Sequence, residues 1–254
     1  MKILQLKSYG DAVSTNHRWL KFWGTYRSIE AKCDDDLFFQ VGKTVDKKRI
    51  SSEAFSLAVE RIREKLYLQI DDVLLDLCCG NGLLTYELHT FVKQINGLDF
   101  TCHLIDAAKE LKSAPNISYF RANTLDPFHK FIQLSNGRPN KFLMNDALAY
   151  FQENDLITLI KNINTISGGD FIFFATGVPN ILLKNKFYNT PQRRAEYQSM
   201  LDSGDENNKG LGKWWNPETV LAIAANIGVN CFIENQPLPL SNYRMDILFS
   251  TANN

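Results

Sequence analysis

The order of elements along this chain predicts an α/β fold, a mostly parallel sheet of seven strands with helices on both faces and an antiparallel final strand. Two observations carry this expectation. Short apolar runs alternate with segments of helical periodicity from residue 51 onward, the order expected of parallel strands joined by crossover helices. The first run, Val73-Leu74-Leu75, is apolar without interruption, as in a strand buried on both faces.

In 51–68, Phe55, Leu57, Ala58, Val59, Ile62 and Leu66 recur at helical spacing among charged residues, with Ser51 or Ser52 as N-cap. The first strand follows Asp71 and Asp72 and stops at the turn Gly80-Asn81-Gly82. A helix over 83–92 leads to a strand at 94–98 that ends at Asp99. The alternation continues with a helix at 104–111, strands at 117–121 and 141–145, a helix at 155–166 and a fifth strand at 171–175. A helix at 217–227 and strands at 231–234 and 244–249 close the chain, the last pair forming an antiparallel edge.

Two regions stand outside the alternation. Residues 1–50 carry Trp19, Phe22, Trp23, Tyr26, Phe38 and Phe39, an aromatic group that reads as a cap over the active site of a domain spanning 51–254. Residues 184–213, polar and marked by Pro191, Gly204, Gly210 and Gly212, follow the fifth strand, where either a lid or an ordinary surface insertion would sit.

Composition narrows the function classes. With 254 residues and 44% hydrophobic content the chain can bury one substantial core. Lys plus Arg equals Asp plus Glu at 28 each, so no global field exists to hold a polyanion, and no nucleic-acid partner is expected. The N-terminus breaks its apolar run with Gln and Lys, and 171–183 is interrupted by Gly177, Pro179 and Asn180, so neither secretion nor a membrane span is expected. The five cysteines lack the spacing of a disulfide framework or a zinc site, which fits reduced thiols in a cytoplasm and no metal. Cys78 and Cys79 are adjacent, whereas a redox pair normally has two intervening residues.

The segment 73–82 places Asp76 at the end of a buried strand and Gly80 and Gly82 in the turn that opens a helix. Glycine lets a ligand approach the backbone, and an open α/β sheet leaves a crevice at the carboxyl ends of its strands. Asp76 would repel a pyrophosphate but suits an ammonium-bearing ligand. Asp99, seventeen residues after Gly82, can accept both hydroxyls of a ribose. The dinucleotide fingerprint needs a third glycine where this chain has Thr85.

On these residues the chain resembles the class I S-adenosylmethionine-dependent methyltransferases, which have a Rossmann-like fold. Asp76-Leu-Cys78-Cys79-Gly80-Asn81-Gly82 resembles the family's first motif, with Cys78 where many members carry glycine. Asp99-Phe100 resembles the second, which implies that Asp99 holds ribose and Phe100 packs on adenine. Asn123-Thr124-Leu125 is similar to the loop at the adenine amino group, Asn123 standing where Asp is frequent. Asn145-Asp146 resembles the segment facing the methyl donor. The cofactor implied is S-adenosyl-L-methionine, bound by these residues, with Gln40 of Gln40-Val-Gly42 closing over its methionine end ahead of the basic run 43–49.

The implied activity is transfer of a methyl group to an O or N atom of a small molecule. Asp146 is the first candidate for acceptor orientation or proton removal, with His17 and Tyr150 beside it. Trp23, Tyr26, Trp214 and Trp215 are candidate pocket walls and Arg193 a candidate partner for an anionic acceptor. The alternatives are a nicotinamide-dependent oxidoreductase using the same turn, or a cofactor-binding module without chemistry.

Overall fold

The computed structural model describes residues 16–45, 48–130, 137–204 and 210–251. Residues 1–15 of the expected cap and 205–209 of the expected lid lie outside the described residues.

The described residues open with α1 (Asn16–Thr25) and α2 (Asp34–Gln40), followed by a short antiparallel pair, Thr44–Val45 with Lys48–Arg49. Next come α3 (Ser52–Lys65), β1 (Val73–Leu77), α4 (Leu83–Glu87), β2 (Gln94–Asp99), α5 (Cys102–Leu111) and β3 (Ile117–Arg121). Then follow β4 (Lys141–Asn145), α6 (Glu153–Ser167), β5 (Ile172–Pro179), α7 (Pro191–Asp202), α8 (Pro217–Asn226), β6 (Asn230–Asn235) and β7 (Arg244–Ser250). Ser51 caps α3 by accepting from Ala54 N at 3.2 Å.

The seven strands lie in the order β3-β2-β1-β4-β5-β7-β6, and the first five are mutually parallel. β7 runs antiparallel to both neighbours and lies between β5 and β6, so β6 forms the edge. Strand alternation sorts the core into two layers. Leu75, Phe142, Met144 and Phe173 pack with Leu156, Ile160 and Ile163 of α6 and Val220 of α8. Leu74, Leu143 and Phe174 pack on the opposite face with Phe55 and Ile62 of α3 and Leu37 and Phe38 of α2. Burying each such side chain contributes about 1.5–3 kcal/mol, which is why both faces are covered.

Two elements differ from expectation. α4 stops at Glu87 instead of running to 92, and the His89 ring nitrogen engages the Tyr86 carbonyl that a continuing helix would have used. β5 runs four residues past 175 to Pro179, because β7 resumes pairing at Val178↔Met245 beyond a bulge at Gly177.

Gly82 has φ +72° and faces Tyr119, whose ring carbon Cζ would stand 2.8 Å from an added Cβ. The ring cannot easily yield, since its hydroxyl donates to the Lys112 carbonyl at 2.8 Å. Gly82→Ala should therefore cost about 3 kcal/mol of stability, left-handed strain and overpacking together. Urea unfolding checks this, and an unchanged midpoint would show that the turn relaxes freely.

Candidate functional site

Strand order reverses between β1 and β4, and at their carboxyl ends lies a cavity of about 680 Å³. β1 and its turn bring Asp76, Cys78 and Gly80 to it, β2 brings Asp99 and Phe100, and β4 brings Asn145 and Asp146. Asn123 and Thr124 line it from the loop after β3. α1 and the turn that continues it place Trp19, Phe22, Trp23 and Tyr26 on one face by i, i+3, i+4 and i+7 spacing, and all four rings line the cavity with Tyr150.

Asp99 sits against the glycine turn, accepting from Gly80 N at 3.0 Å through Oδ2 and from Thr101 N at 2.8 Å through Oδ1. Burial pushes its pKa up, opposed by those hydrogen bonds. Asp76, also buried, accepts from the Thr85 hydroxyl at 2.6 Å. Burial first, and the neighbouring Asp99 charge second, raise Asp76 to about 7 against the Thr85 hydrogen bond. Cys78 has φ +60°, a left-handed conformation that glycine adopts without strain. Burial raises both the Cys78 and Cys79 thiols, so neither is poised for redox chemistry.

Several candidate cofactor residues stand behind the cavity wall instead of on it. Gln40 is buried, donates to the Ile29 carbonyl at 2.8 Å and accepts from Asn81 Nδ2 at 2.9 Å, so it braces the turn. Asn81 lines the cavity but spends its amide on Gln40 and on the Leu37 carbonyl at 2.8 Å. Gly82 packs on Tyr119, and Leu125 packs into the core beside α6. Asn123 Oδ1 already accepts from Leu125 N at 3.0 Å, which leaves one lone pair for an adenine amine.

At the other end, Asp146 accepts from Lys43 Nζ at 2.8 Å and from Arg244 Nη1 at 2.5 Å. Its backbone is left-handed, at φ +57°, and its N–H donates to the Thr176 carbonyl at 2.9 Å. The carboxylate nests against Gly177, where any Cβ would overlap Asp146 Oδ1. Burial would raise its pKa, but Lys43 and Arg244 outweigh that and hold it below the usual carboxylate range. Such a carboxylate is a weak base at neutral pH. Burial also keeps the Tyr150 phenol protonated, its pKa pushed upward. Asp246 props this end by accepting from the Thr176 hydroxyl at 2.6 Å, Gly177 N at 3.1 Å and Arg61 Nε at 2.5 Å.

Trp214, Trp215 and Arg193 fall away from the cavity. Trp215 is fully buried and donates to the Leu148 carbonyl at 3.0 Å, and Trp214 is packed among Phe187, Tyr188 and Tyr243. Arg193 is exposed, with its guanidinium over Phe187 and bonded to that residue's carbonyl. His17 belongs to α1, but its side chain lies outside the described residues. Lys43 entered the sequence reading only as the first residue of the basic run 43–49, and Arg244 was not singled out. The signal was a charged pair, Arg244 and Asp246, at i and i+2 on a strand otherwise apolar. Among the described residues no cluster suits a metal ion, and no helix is long and apolar enough to cross a membrane.

No family model matches the chain. It is 43% identical over 65 residues to 2-phytyl-1,4-naphtoquinone methyltransferase from Nostoc sp. strain PCC 7120, a match covering 22% of this chain and 28% of that protein. The chain thus spans under a third of that relative's length. Solved structures align far more widely at low identity. Magnesium protoporphyrin IX methyltransferase from Synechocystis PCC 6803, with bound SAM, covers 96% of this chain and 100% of its own at 10% identity and a TM-score of 0.56. Geranyl diphosphate C-methyltransferase from Streptomyces coelicolor A3(2), in complex with Mg2+, geranyl diphosphate and S-adenosyl-L-homocysteine, covers the same shares at 15% identity and a TM-score of 0.59. The sheet order, the reversal at β1 and these alignments together give this chain the Rossmann-like fold of the class I S-adenosylmethionine-dependent methyltransferases.

Proposed function

We propose that this chain is an S-adenosylmethionine-dependent methyltransferase that moves a methyl group to an O or N atom of a small-molecule acceptor by in-line displacement. The observation that carries the reading is the contact between Asp99 Oδ2 and Gly80 N at 3.0 Å. An ionised carboxylate has about four acceptor positions, and the Gly80 and Thr101 backbone donors together with the Thr101 hydroxyl leave at least one for a ribose hydroxyl. Asp76 adds a buried acid that suits an ammonium and opposes a pyrophosphate. The donor set therefore fits S-adenosylmethionine.

When bound, that cofactor supplies a methyl group on a positively charged sulfur, already activated for displacement. The chain's residues supply alignment and exclusion of water. Asp99 grips the ribose, Phe100, Asn123 and Thr124 border the adenine, and Asp76 faces the ammonium. Asp146 and Tyr150 orient the acceptor. With Asp146 held as an ion-paired carboxylate, the site fits an acceptor atom that brings its own lone pair, hence O or N. In the same reading residues 1–50 cap the acceptor end and 184–213 form a lid, supported by Trp23 and Tyr26 on the wall and by Gly210 and Leu211 at the rim. The free thiols support a cytoplasmic setting.

Calorimetry should give micromolar binding of S-adenosylhomocysteine and no heat with NADH; the reverse pattern would hand the site to a nicotinamide cofactor. Asp76 makes the binding pH-dependent. Its pKa of about 7 means that the carboxylate ionises between pH 6 and 8, so affinity for the ammonium should rise about tenfold over that interval. Stability of the ligand-free protein should move oppositely. The folded state binds the Asp76 proton more tightly than the unfolded chain does, so this contribution is present at low pH and is lost as pH climbs through about 7. Asp76→Asn should flatten both profiles, and profiles that persist in that variant assign the titration elsewhere.

A further inference from the structure

The cavity is electrically two-ended. At the nucleoside end, Asp76 and Asp99 hydrogen-bond to Thr85, Gly80 and Thr101, none of them a cation. At the other end Lys43 and Arg244 share a single carboxylate, Asp146, and among the described residues neither has a second acidic partner. Two cations against one anion leave a surplus positive charge, on side chains only 15% and 20% exposed, where water screens poorly.

Donor capacity is also in excess. Lys43 has three ammonium protons and directs one to Asp146. Arg244 has five N–H groups, sends Nη1 to Asp146 and to the Gly177 carbonyl, and has Tyr243 alongside. The same cavity is lined by a cluster of π-systems, in which Tyr150 lies 4.5 Å from Trp19 and 5.7 Å from Trp23, centroid to centroid. A guanidinium beside an ammonium selects a carboxylate, and offset or edge-on rings select a flat unsaturated body.

We infer that the acceptor is an aromatic carboxylic acid, with its carboxylate seated on Lys43 and Arg244 and its ring against Trp19, Trp23 and Tyr150. The word acceptor rests on the methyltransferase reading, whereas the acid subsite stands on the arrangement of charges and rings alone. The rival occupant of the two cations is the cofactor's own carboxylate. Against it, Arg244 belongs to β7, which β4 and β5 separate from β1 and the glycine turn.

The test titrates salicylate, phenol and cyclohexanecarboxylate into the full chain, with and without S-adenosylhomocysteine, and repeats the series in Lys43→Gln, Arg244→Gln and Arg244→Lys. Salicylate should bind at least tenfold tighter than phenol and than the saturated acid. Either glutamine variant should cut its preference over phenol to below threefold, and Arg244→Lys should keep part of it, with circular dichroism confirming the fold. Equal binding of salicylate and phenol by the unaltered chain would overturn the inference. So would a tenfold loss of S-adenosylhomocysteine affinity in both glutamine variants with methylthioadenosine, which has no carboxylate, unaffected. Acid preference without any S-adenosylhomocysteine binding removes the methyltransferase reading and keeps the subsite, while the opposite pair of results keeps that reading and removes the subsite.

Discussion

Replacing Asp99 by alanine should weaken S-adenosylhomocysteine binding by at least about 100-fold, equivalent to about 2.7 kcal/mol. Hydrogen bonding of the ribose to a buried carboxylate is the source, each hydroxyl bond contributing about 1.5–3 kcal/mol net of exchange with water. The variant also frees the Gly80 and Thr101 N–H groups, so its melting temperature must be measured beside the affinity. Asp99→Asn separates the two effects. It keeps one oxygen for a backbone donor but presents an amide N–H to a hydroxyl oxygen, and an affinity between those of wild type and the alanine variant is expected. Wild-type affinity in Asp99→Ala would mean that the nucleoside lies elsewhere.

Trp215→Ala should be the most destabilising single change, at about 4 kcal/mol, or roughly 10 °C in melting temperature for a chain of this size. The indole is fully buried in the layer formed with α6 and α8, and its N–H satisfies the Leu148 carbonyl at 3.0 Å. Truncation leaves a cavity and removes one of the two hydrogen bonds that the Leu148 carbonyl accepts, the other coming from Phe151 N at 3.1 Å. A pocket residue would behave differently, losing ligand affinity with little change in stability. Thermal unfolding and calorimetry on the same sample distinguish the two roles, and a stable protein with impaired ligand binding would return Trp215 to the cavity wall.

That residue illustrates what sequence reading could reach. The strands and helices were legible because buried strands and amphipathic helices write their periods into contiguous residues, as in 73–77 and 153–167. The turn with Asp76, Gly80 and Asp99 was legible for the same reason, since one β-α-β stretch carries all three. The opposite end is built from Lys43, Asp146 and Arg244, whose pairings span 103 and 98 positions and leave no local pattern. Aromatic composition could not separate Trp23, which faces the cavity, from Trp215, which fills the core, because both are bulky and apolar. Gln40 shows the converse difficulty. A polar residue beside a glycine invites a ligand role, yet its amide bonds within the protein.

The brace between α2 and the glycine turn bears on how far the chain tolerates trimming. Asn81 is fully buried, and both acceptors of its amide nitrogen, the Leu37 carbonyl and Gln40 Oε1, come from the first forty residues. Cutting the chain after Gln40 would remove both partners of that nitrogen and bare to water the apolar surface of β1 and α3 that Leu37 and Phe38 cover. The leading segment is therefore a foundation stone for the bend it covers, and a shortened chain would forfeit the shape of the bend along with the wall above it.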